Sequence, residues 1–169
     1  MNLISAFNPD DPSLSYHSNN KVQFTEQINS DGSCGASAYP SGFCDTTVSD
    51  DSRVFMFYNP DTDLINLNAK VTEGSFLGFG WGGSMTDTEM VIFSADGASS
   101  TVGNYYSVTE EEPTLYPVID SCYTSTVTQG SGYVVFNTTR PLDCGIENTY
   151  VVQLDNNLTL INAWNPNNP

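Results

Sequence analysis

The residues best suited to ligand chemistry lie in one glycine-rich stretch, Leu77–Met90, which reads LGFGWGGSMTDTEM. Its glycines free the backbone to bend and allow a flat ligand to approach closely. Phe79 and Trp81 supply aromatic walls, and the thioether of Met85 can either pack in a core or ligate a soft metal. The stretch therefore predicts a ligand site that the neighbouring strands must frame.

The sequence offers little for other kinds of chemistry. It contains no GxSxG, HExxH, P-loop or dinucleotide-binding pattern. His17 is the only histidine, and a lone histidine is usually a surface residue. The acidic runs Asp50-Asp51 and Glu110–Glu112 lack the spacing of an EF-hand loop and are typical of solvated loops. A hydrolase is not indicated, because one histidine and no motif cannot supply a nucleophile and its base.

Composition narrows the class of protein further. The 169 residues favour a single domain, and 20 acidic against 4 basic residues give a formal charge of −16. Such a surface repels phosphate backbones, so a nucleic-acid partner is not expected. No apolar run approaches the roughly 18–20 residues of a membrane span.

Cysteines and sequons indicate an extracellular protein. An even number of cysteines at spacings that fit no zinc pattern suggests two disulfides, and the sequons predict glycans on Asn137 and Asn157. Four cysteines allow three pairings, and four free thiols are the alternative. We favour the pairs Cys34–Cys44, which closes a short Gly/Ser loop, and Cys122–Cys144.

The elements that must position the candidate site read as many short strands. No segment keeps a 3.6-residue apolar period over three turns, and turn signals recur at intervals of roughly 8–12 residues. This pattern predicts an all-β antiparallel β-sandwich of immunoglobulin-like type, with Met56 and Met90 in its core. The predicted strands are Lys21–Ile28, Val54–Tyr58, Leu64–Val71, Phe76–Trp81, Met90–Ser94, Val102–Val108, Tyr123–Thr128, Gly132–Thr138, Tyr150–Leu154 and Leu158–Trp164.

Three stretches, in order and at suitable spacing, carry a resemblance to a known family. Phe76–Met90 has a Gly-Trp followed by Gly-Gly-x-Met, Tyr133–Asp143 reads YVVFNTTRPLD, and Leu160–Trp164 reads LINAW. They resemble the strand-and-turn, the "x-F-x-R-P-L-D" strand and the closing "I-x-W-A" strand of the DOMON family, which includes the cytochrome domain of cellobiose dehydrogenase. The resemblance implies an antiparallel β-sandwich. Some members bind b-type haem between a Met and a His, and others bind no haem and are thought to bind sugars or partner proteins.

The two ends of the chain resemble each other. Leu3–Pro12, LISAFNPDDP, aligns without a gap with Leu160–Pro169, LINAWNPNNP. This internal repeat indicates one unit of a tandem array with overlapping ends, or subunits that exchange a strand. Residues 1–20 are then the closing strand and connector of a preceding copy, and residues 21–169 form the DOMON-like sandwich. Neighbouring copies are the expected partners, in a filament or a long surface protein.

The resemblance implies a ligand set for haem. Met85 corresponds to the axial methionine, and Phe79, Trp81, Tyr105 and Tyr106 are expected to flank the porphyrin. In haem-binding members the axial histidine follows the closing strand by roughly ten residues, and His17 follows Phe7, the counterpart of Trp164, by ten. His17 therefore sits where the axial histidine of the preceding copy is expected. No histidine follows Trp164, which puts a complete Met/His pair within one unit in doubt.

Two functional hypotheses follow. Met/His ligation raises the reduction potential of haem iron and leaves no open position, which favours electron transfer over catalysis. The first hypothesis is an extracellular b-type haem-binding electron-transfer module, repeated along a filament or long surface protein and served by a redox partner. The alternative is a haem-free structural or adhesive DOMON module that binds carbohydrate or neighbouring subunits.

Overall fold

The computed structural model describes residues 21–32, 54–109 and 113–165, and these form an antiparallel β-sandwich, as predicted. Apart from two short 3-10 helices, Gly97–Ser99 and Pro117–Cys122, the regular elements of these residues are strands. No helix in these three ranges is long and apolar enough to cross a membrane. The strands are β1 Lys21–Gln27, β2 Val54–Asn59, β3 Leu64–Thr72, β4 Ser75–Trp81, β5 Thr88–Ala95, β6 Thr101–Ser107, β7 Thr114–Leu115, β8 Thr124–Gln129, β9 Tyr133–Pro141 and β10 Asn157–Asn165.

The strands form two sheets. Among the described residues, one sheet has six strands in the order β1-β10-β4-β5-β6-β7, and the other has four in the order β2-β3-β9-β8. All neighbours are antiparallel. The last strand, β10, lies between β1 and β4, so it completes the sheet of this same unit. The equivalent N-terminal residues, Leu3–Phe7, lie outside the described residues.

The core lies between the sheets and follows from period-2 patterning. Along β3, Ile65, Leu67, Ala69 and Val71 are buried, and the residues between them are only partly buried. Successive side chains of a strand point to opposite faces, so one face of β3 supplies the core. Each fully buried Leu, Ile or Val stabilises the fold by roughly 1.5–3 kcal/mol. Met56 and Met90 are both buried, as predicted.

Nine of the ten predicted strands are present, and the exception is Tyr150–Leu154, which is irregular. The backbone N–H groups of this segment do not pair with a neighbouring strand. The Tyr150 N–H donates to the carboxylate of Glu89, and the Val152 N–H donates to the Leu142 carbonyl at 2.9 Å. The apolar alternation that predicted a strand reflects the burial of Val152 within a loop. The sequence also missed β7 and both 3-10 helices.

The predicted disulfide Cys122–Cys144 is formed, with its Cα atoms 5.5 Å apart. It ties the end of the second 3-10 helix to the loop after β9. Cys34 and Cys44 lie outside the described residues, so that pairing stays a prediction. Both sequon asparagines, Asn137 and Asn157, are exposed, and their glycosylation also stays a prediction.

Candidate functional site

Strand β4 divides the predicted site residues between the two faces of the six-stranded sheet. Phe79 and Trp81 point into the core between the sheets. Tyr106 shares this inner face, because Trp81 lies opposite Glu89 and Glu89 lies opposite Tyr106 in neighbouring strands. Met85 and Tyr105 instead lie on the outer face. The structure thus brings Met85 and Tyr105 together but keeps Phe79, Trp81 and Tyr106 on the other side of the sheet.

The outer face carries a small apolar cluster. Met85, Met90 and Ile161 are 2%, 6% and 3% exposed, and Tyr105 packs against them. Gly80 lies opposite both Met90 and Ile161 in the register. In antiparallel sandwiches the outer face is commonly solvated and polar. This apolar outer cluster, defined by Met85, Met90, Ile161 and Tyr105, is therefore unusual for the outer face of a sheet.

Glycines make close packing in and beside this cluster possible. A Cβ on Gly80 would lie 2.8 Å from Cγ1 of Ile161, and one on Gly103 would lie 2.7 Å from the Tyr105 ring. Both distances are shorter than carbon atoms tolerate, so Ile161 and Tyr105 occupy the space that side chains would fill. Gly78 differs, because a Cβ there would meet the Ala163 carbonyl oxygen at 3.6 Å, an ordinary contact.

The inner face carries a buried ion pair. Arg140 is fully buried, and its Nη1 donates to both carboxylate oxygens of Glu89 at 3.0 Å. The remaining guanidinium donors reach the carbonyls of Tyr150, at 2.6 Å, and Pro141, at 3.0 Å. A buried charge is tolerated only when it is paired and hydrogen-bonded, and this pair satisfies both conditions.

Aromatic groups enclose the ion pair. The Tyr123 hydroxyl donates to Oε1 of Glu89 and accepts from Trp81 Nε1 at 3.1 Å and from Arg140 Nη1 at 3.2 Å. Trp81 stacks on Tyr150 with ring centroids 5.7 Å apart, and the Arg140 guanidinium carbon lies 4.9 Å from the Trp81 ring. Burial raises the pKa of the Tyr123 phenol, Arg140 opposes this, and the Glu89 carboxylate adds to it. Tyr123 therefore remains a hydrogen-bond donor to Glu89 well into the alkaline range.

A cavity of about 120 Å³ opens beside this network. It lies on the inner side of the sheet, on the face opposite Met85. Tyr106 and Tyr150 are half-buried there, Trp81 and Glu89 are buried, and Asp87 and Asn148 are exposed. The cavity thus combines aromatic rings with a solvent-facing carboxylate.

Comparison with known proteins identifies the family. The sequence pattern of the family described as "DOMON domain" matches residues 49–165, more than half of the chain. The chain belongs to the DOMON family. A comparison with curated proteins finds no match.

Two solved structures are similar to this DOMON domain. The cytochrome b domain of pyranose dehydrogenase from Coprinopsis cinerea is 13% identical over 64% of this chain and 80% of its own, with a TM-score of 0.36. The cytochrome domain of Myriococcum thermophilum cellobiose dehydrogenase is 10% identical over 80% of this chain, with the same TM-score. The chain spans about half, 52%, of the length of the second structure.

The side chains of this DOMON domain include one candidate ligand for haem iron among the described residues. Met85 offers a thioether, a known axial ligand, within the apolar outer cluster. Among the described residues no three His, Cys, Asp or Glu side chains group to hold a metal ion, and His17 lies outside them. Of the described residues, Met85 is therefore the candidate for one axial position, and Tyr105 and Ile161 belong to the same cluster.

Sequence reasoning missed the network of Glu89, Tyr123 and Arg140. A signal for it exists in β9, where Val134, Phe136, Thr138 and Arg140 follow one another at a spacing of two and are all buried. A charged residue at a core position of an alternating strand requires a buried counter-charge. The sequence did not reveal which of the 20 acidic residues provides it.

Proposed function

We propose that this DOMON domain is an extracellular b-type haem-binding electron-transfer module that holds haem on the outer face of its six-stranded sheet. The observation that carries the proposal is the buried thioether of Met85 in the apolar outer cluster. A thioether is an established axial ligand of haem iron, and an apolar shell around a metal site tunes its reduction potential. Because Met85 is 2% exposed, its side chain would have to turn outward to reach the iron. The DOMON resemblance described above, in which some members hold haem between a Met and a His, supports the same assignment.

The roles of the chain's own residues follow from their positions. Met85 would hold one side of the iron, and haem when bound would supply a reversible one-electron couple. Met90, Ile161 and Tyr105 would keep water from the Met85 sulfur. Phe79, Trp81 and Tyr106 would support the sheet from its inner face rather than touch the porphyrin. His17 is the proposed second ligand, supplied either within the unit or to a neighbouring copy.

The location and the assembly of the domain are part of the proposal. The Cys122–Cys144 disulfide and the exposed sequon residues Asn137 and Asn157 support an extracellular location. The match between Leu3–Pro12 and Leu160–Pro169 supports a unit repeated along a filament or long surface protein. Its partners would then be neighbouring copies and a redox protein.

Haem reconstitution with two matched methionine variants tests the proposal. Purified protein mixed with haemin is expected to give a Soret band and sharp α and β bands on reduction. Met85→Leu conserves volume, so circular dichroism should be unchanged while the low-spin spectrum is lost. Met90→Leu makes the same change in the same cluster and should keep the spectrum. An unchanged spectrum in Met85→Leu, or equal losses in both variants, would remove Met85 from the site.

One observation favours the alternative, a haem-free structural or adhesive module that binds carbohydrate or neighbouring subunits. The side chains of Ile161 and Tyr105 already cover Gly80 and Gly103. A porphyrin therefore has less exposed backbone to pack against than the glycines of the sequence predict. Under this alternative the protein takes up no haem, and its spectrum after gel filtration shows protein absorption alone. The reconstitution experiment therefore separates the two functions directly.

A further inference from the structure

The cavity beside the Glu89–Arg140 pair is separate from the proposed haem face, because the six-stranded sheet lies between them. We propose that this cavity binds an alkylammonium head group, supplied by a free amine or by the lysine side chain of a partner protein. Three features carry the proposal: the volume of the cavity, its aromatic lining and the negative charge of Asp87 at its mouth.

The volume limits the ligand to a small head group. An engineered cavity of roughly 150 Å³ accommodates benzene, with about six heavy atoms. At about 120 Å³, this cavity admits a group of comparable or slightly smaller size. A methylated or primary ammonium group is within that size, whereas a whole hexose has roughly twice as many heavy atoms as benzene.

Aromatic rings line the cavity and are held in place from behind. Tyr106 and Tyr150 are half-buried lining residues, and Trp81 backs Tyr150 in a stack that is nearly parallel, with an interplanar angle of 13°. Tyr106 is supported by the ring of Tyr116, 6.0 Å away between centroids. The faces of such rings attract cations, and the attraction increases where water is excluded.

The charges around the cavity favour a cation over a neutral or anionic ligand. The guanidinium of Arg140 beside it is matched by the carboxylate of Glu89, which leaves no net charge from this pair. Asp87 is exposed at the cavity, accepts a 3.4 Å hydrogen bond from the Tyr106 hydroxyl, and pairs with no basic side chain of the described residues. Burial raises the pKa of the Tyr106 phenol, and the negative charge of Glu147 also helps to raise it, so Glu147 adds to the negative potential at the cavity. The formal charge of −16 attracts cations over a longer range.

The backbone fixes two residues at the cavity. Asp87 and Asn148 both have left-handed backbones, with φ of 48° and 63°. Asp and Asn adopt this conformation more readily than most residues, but it still restricts where their side chains can project. The hydrogen bond from the Tyr106 hydroxyl at 3.4 Å places the Asp87 carboxylate beside that ring before a ligand arrives.

Titration with small amines and neutral analogues tests the proposal. Tetramethylammonium and the lysine analogue Nα-acetyl-lysine amide are added to the full chain, and binding is followed by tryptophan fluorescence and by NMR of the tyrosine rings. The controls are glucose and 3,3-dimethylbutan-1-ol, which has the shape of choline without its charge. We expect at least one amine to bind with a dissociation constant in roughly the millimolar range, weakened by salt, and both controls to bind several-fold more weakly. Tighter binding of tetramethylammonium indicates a free methylated ammonium ligand, and tighter binding of the lysine analogue indicates the side chain of a partner protein.

The chain offers a close control for the charge. Tyr58 donates to Asp63 at 2.7 Å, and Asp63 also has a left-handed backbone, with φ of 57°, but neither residue lines the cavity. Asp87→Asn is expected to weaken amine binding about threefold to tenfold, and Asp63→Asn should leave it unchanged. Tyr106→Phe retains the ring and should bind, whereas Tyr106→Leu should lose most of the binding.

Several results would overturn the proposal. Equal binding of 3,3-dimethylbutan-1-ol and tetramethylammonium would make the cavity an apolar site, and tighter binding of glucose would make it a saccharide site. Equal weakening by Asp87→Asn and Asp63→Asn would reveal unspecific attraction by the acidic surface. No response to either cation would show that the cavity is a packing defect and does not bind ammonium groups. Haem uptake is measured separately by absorption, so failure of either proposal leaves the other standing.

Discussion

Replacing Arg140 with methionine tests how the two sheets are joined. Arg140 lies on β9 of the four-stranded sheet and Glu89 on β5 of the six-stranded sheet, so their ion pair crosses the core. Methionine replaces the aliphatic stem of arginine but ends short of the guanidinium and carries no charge. Arg140→Met therefore leaves the Glu89 carboxylate buried with the Tyr123 hydroxyl and the Tyr150 N–H as its donors. The carbonyls of Pro141 and Tyr150 also lose their donor.

The expected loss of stability is large for a domain of this size. At the observed 3.0 Å and an effective dielectric constant of about 20, the attraction between the two charges is about 5.5 kcal/mol. Measured losses on removing one partner of a buried pair are about 3–5 kcal/mol, out of a typical total of about 5–15 kcal/mol. For a chain of 169 residues this corresponds to a fall in Tm of about 6–20 °C.

Urea unfolding followed by circular dichroism measures the effect. Lys70→Met removes the same charge from a partly exposed residue, whose ammonium lies 4.5 Å from the Tyr133 ring, and should lower the unfolding free energy by less than about 1 kcal/mol. The double variant Glu89→Gln/Arg140→Met keeps an acceptor for Tyr123 without the charge and should be more stable than Arg140→Met alone. A loss below about 1 kcal/mol in Arg140→Met, or a double variant no more stable than the single, would refute the reasoning.

Three further measurements follow from the structure. Replacing both Cys122 and Cys144 with serine should lower the unfolding free energy by about 3 kcal/mol, because the bond links positions 22 residues apart; equal urea midpoints would contradict this. Because folding raises the pKa of Tyr123, the contribution of its neutral phenol to the unfolding free energy is complete below about pH 10. Above that pH the unfolding free energy falls by about 1.4 kcal/mol per pH unit. In urea titrations, Tyr123→Phe should therefore show a flatter dependence of stability on alkaline pH. Gly80→Ala should lower the unfolding free energy by about 1–3 kcal/mol, because the new methyl group collides with Ile161, whereas Gly78→Ala should change it little. A lower Tm for Gly78→Ala than for Gly80→Ala in thermal unfolding would contradict this packing.

The fold could be predicted from sequence because its determinants are local. Alternation in β3 and turn residues between strands define where strands begin and end, and nine strands were found this way. The same reasoning failed at Tyr150–Leu154, because alternation does not reveal that the Tyr150 N–H donates to a side chain 61 positions away. Local pattern cannot identify partners that only tertiary contact brings together.

The candidate site was predicted less completely for the same reason. The stretch around Met85 was identified from its residue types, and the structure does place Met85 in an apolar cluster. Phe79 and Trp81 are close in sequence to Met85, but the faces to which they point depend on the register of β4 against β5 and β10. Glu89 and Arg140 are 51 positions apart, and neither residue type alone indicates their pairing.

The position of β10 between β1 and β4 has a consequence for the kinetics of folding. Val22 on β1 pairs with Asn162 on β10, so the pairing closes a loop that contains most of the chain. Closing such a loop costs conformational entropy before any contact compensates it, and folds dominated by distant pairings form in milliseconds to seconds rather than microseconds. The hairpin of β5 and β6 can form early from neighbouring residues, whereas β4 keeps an open edge until β10 arrives. During that interval the edge of β4 is available to a strand of the same sequence from another molecule.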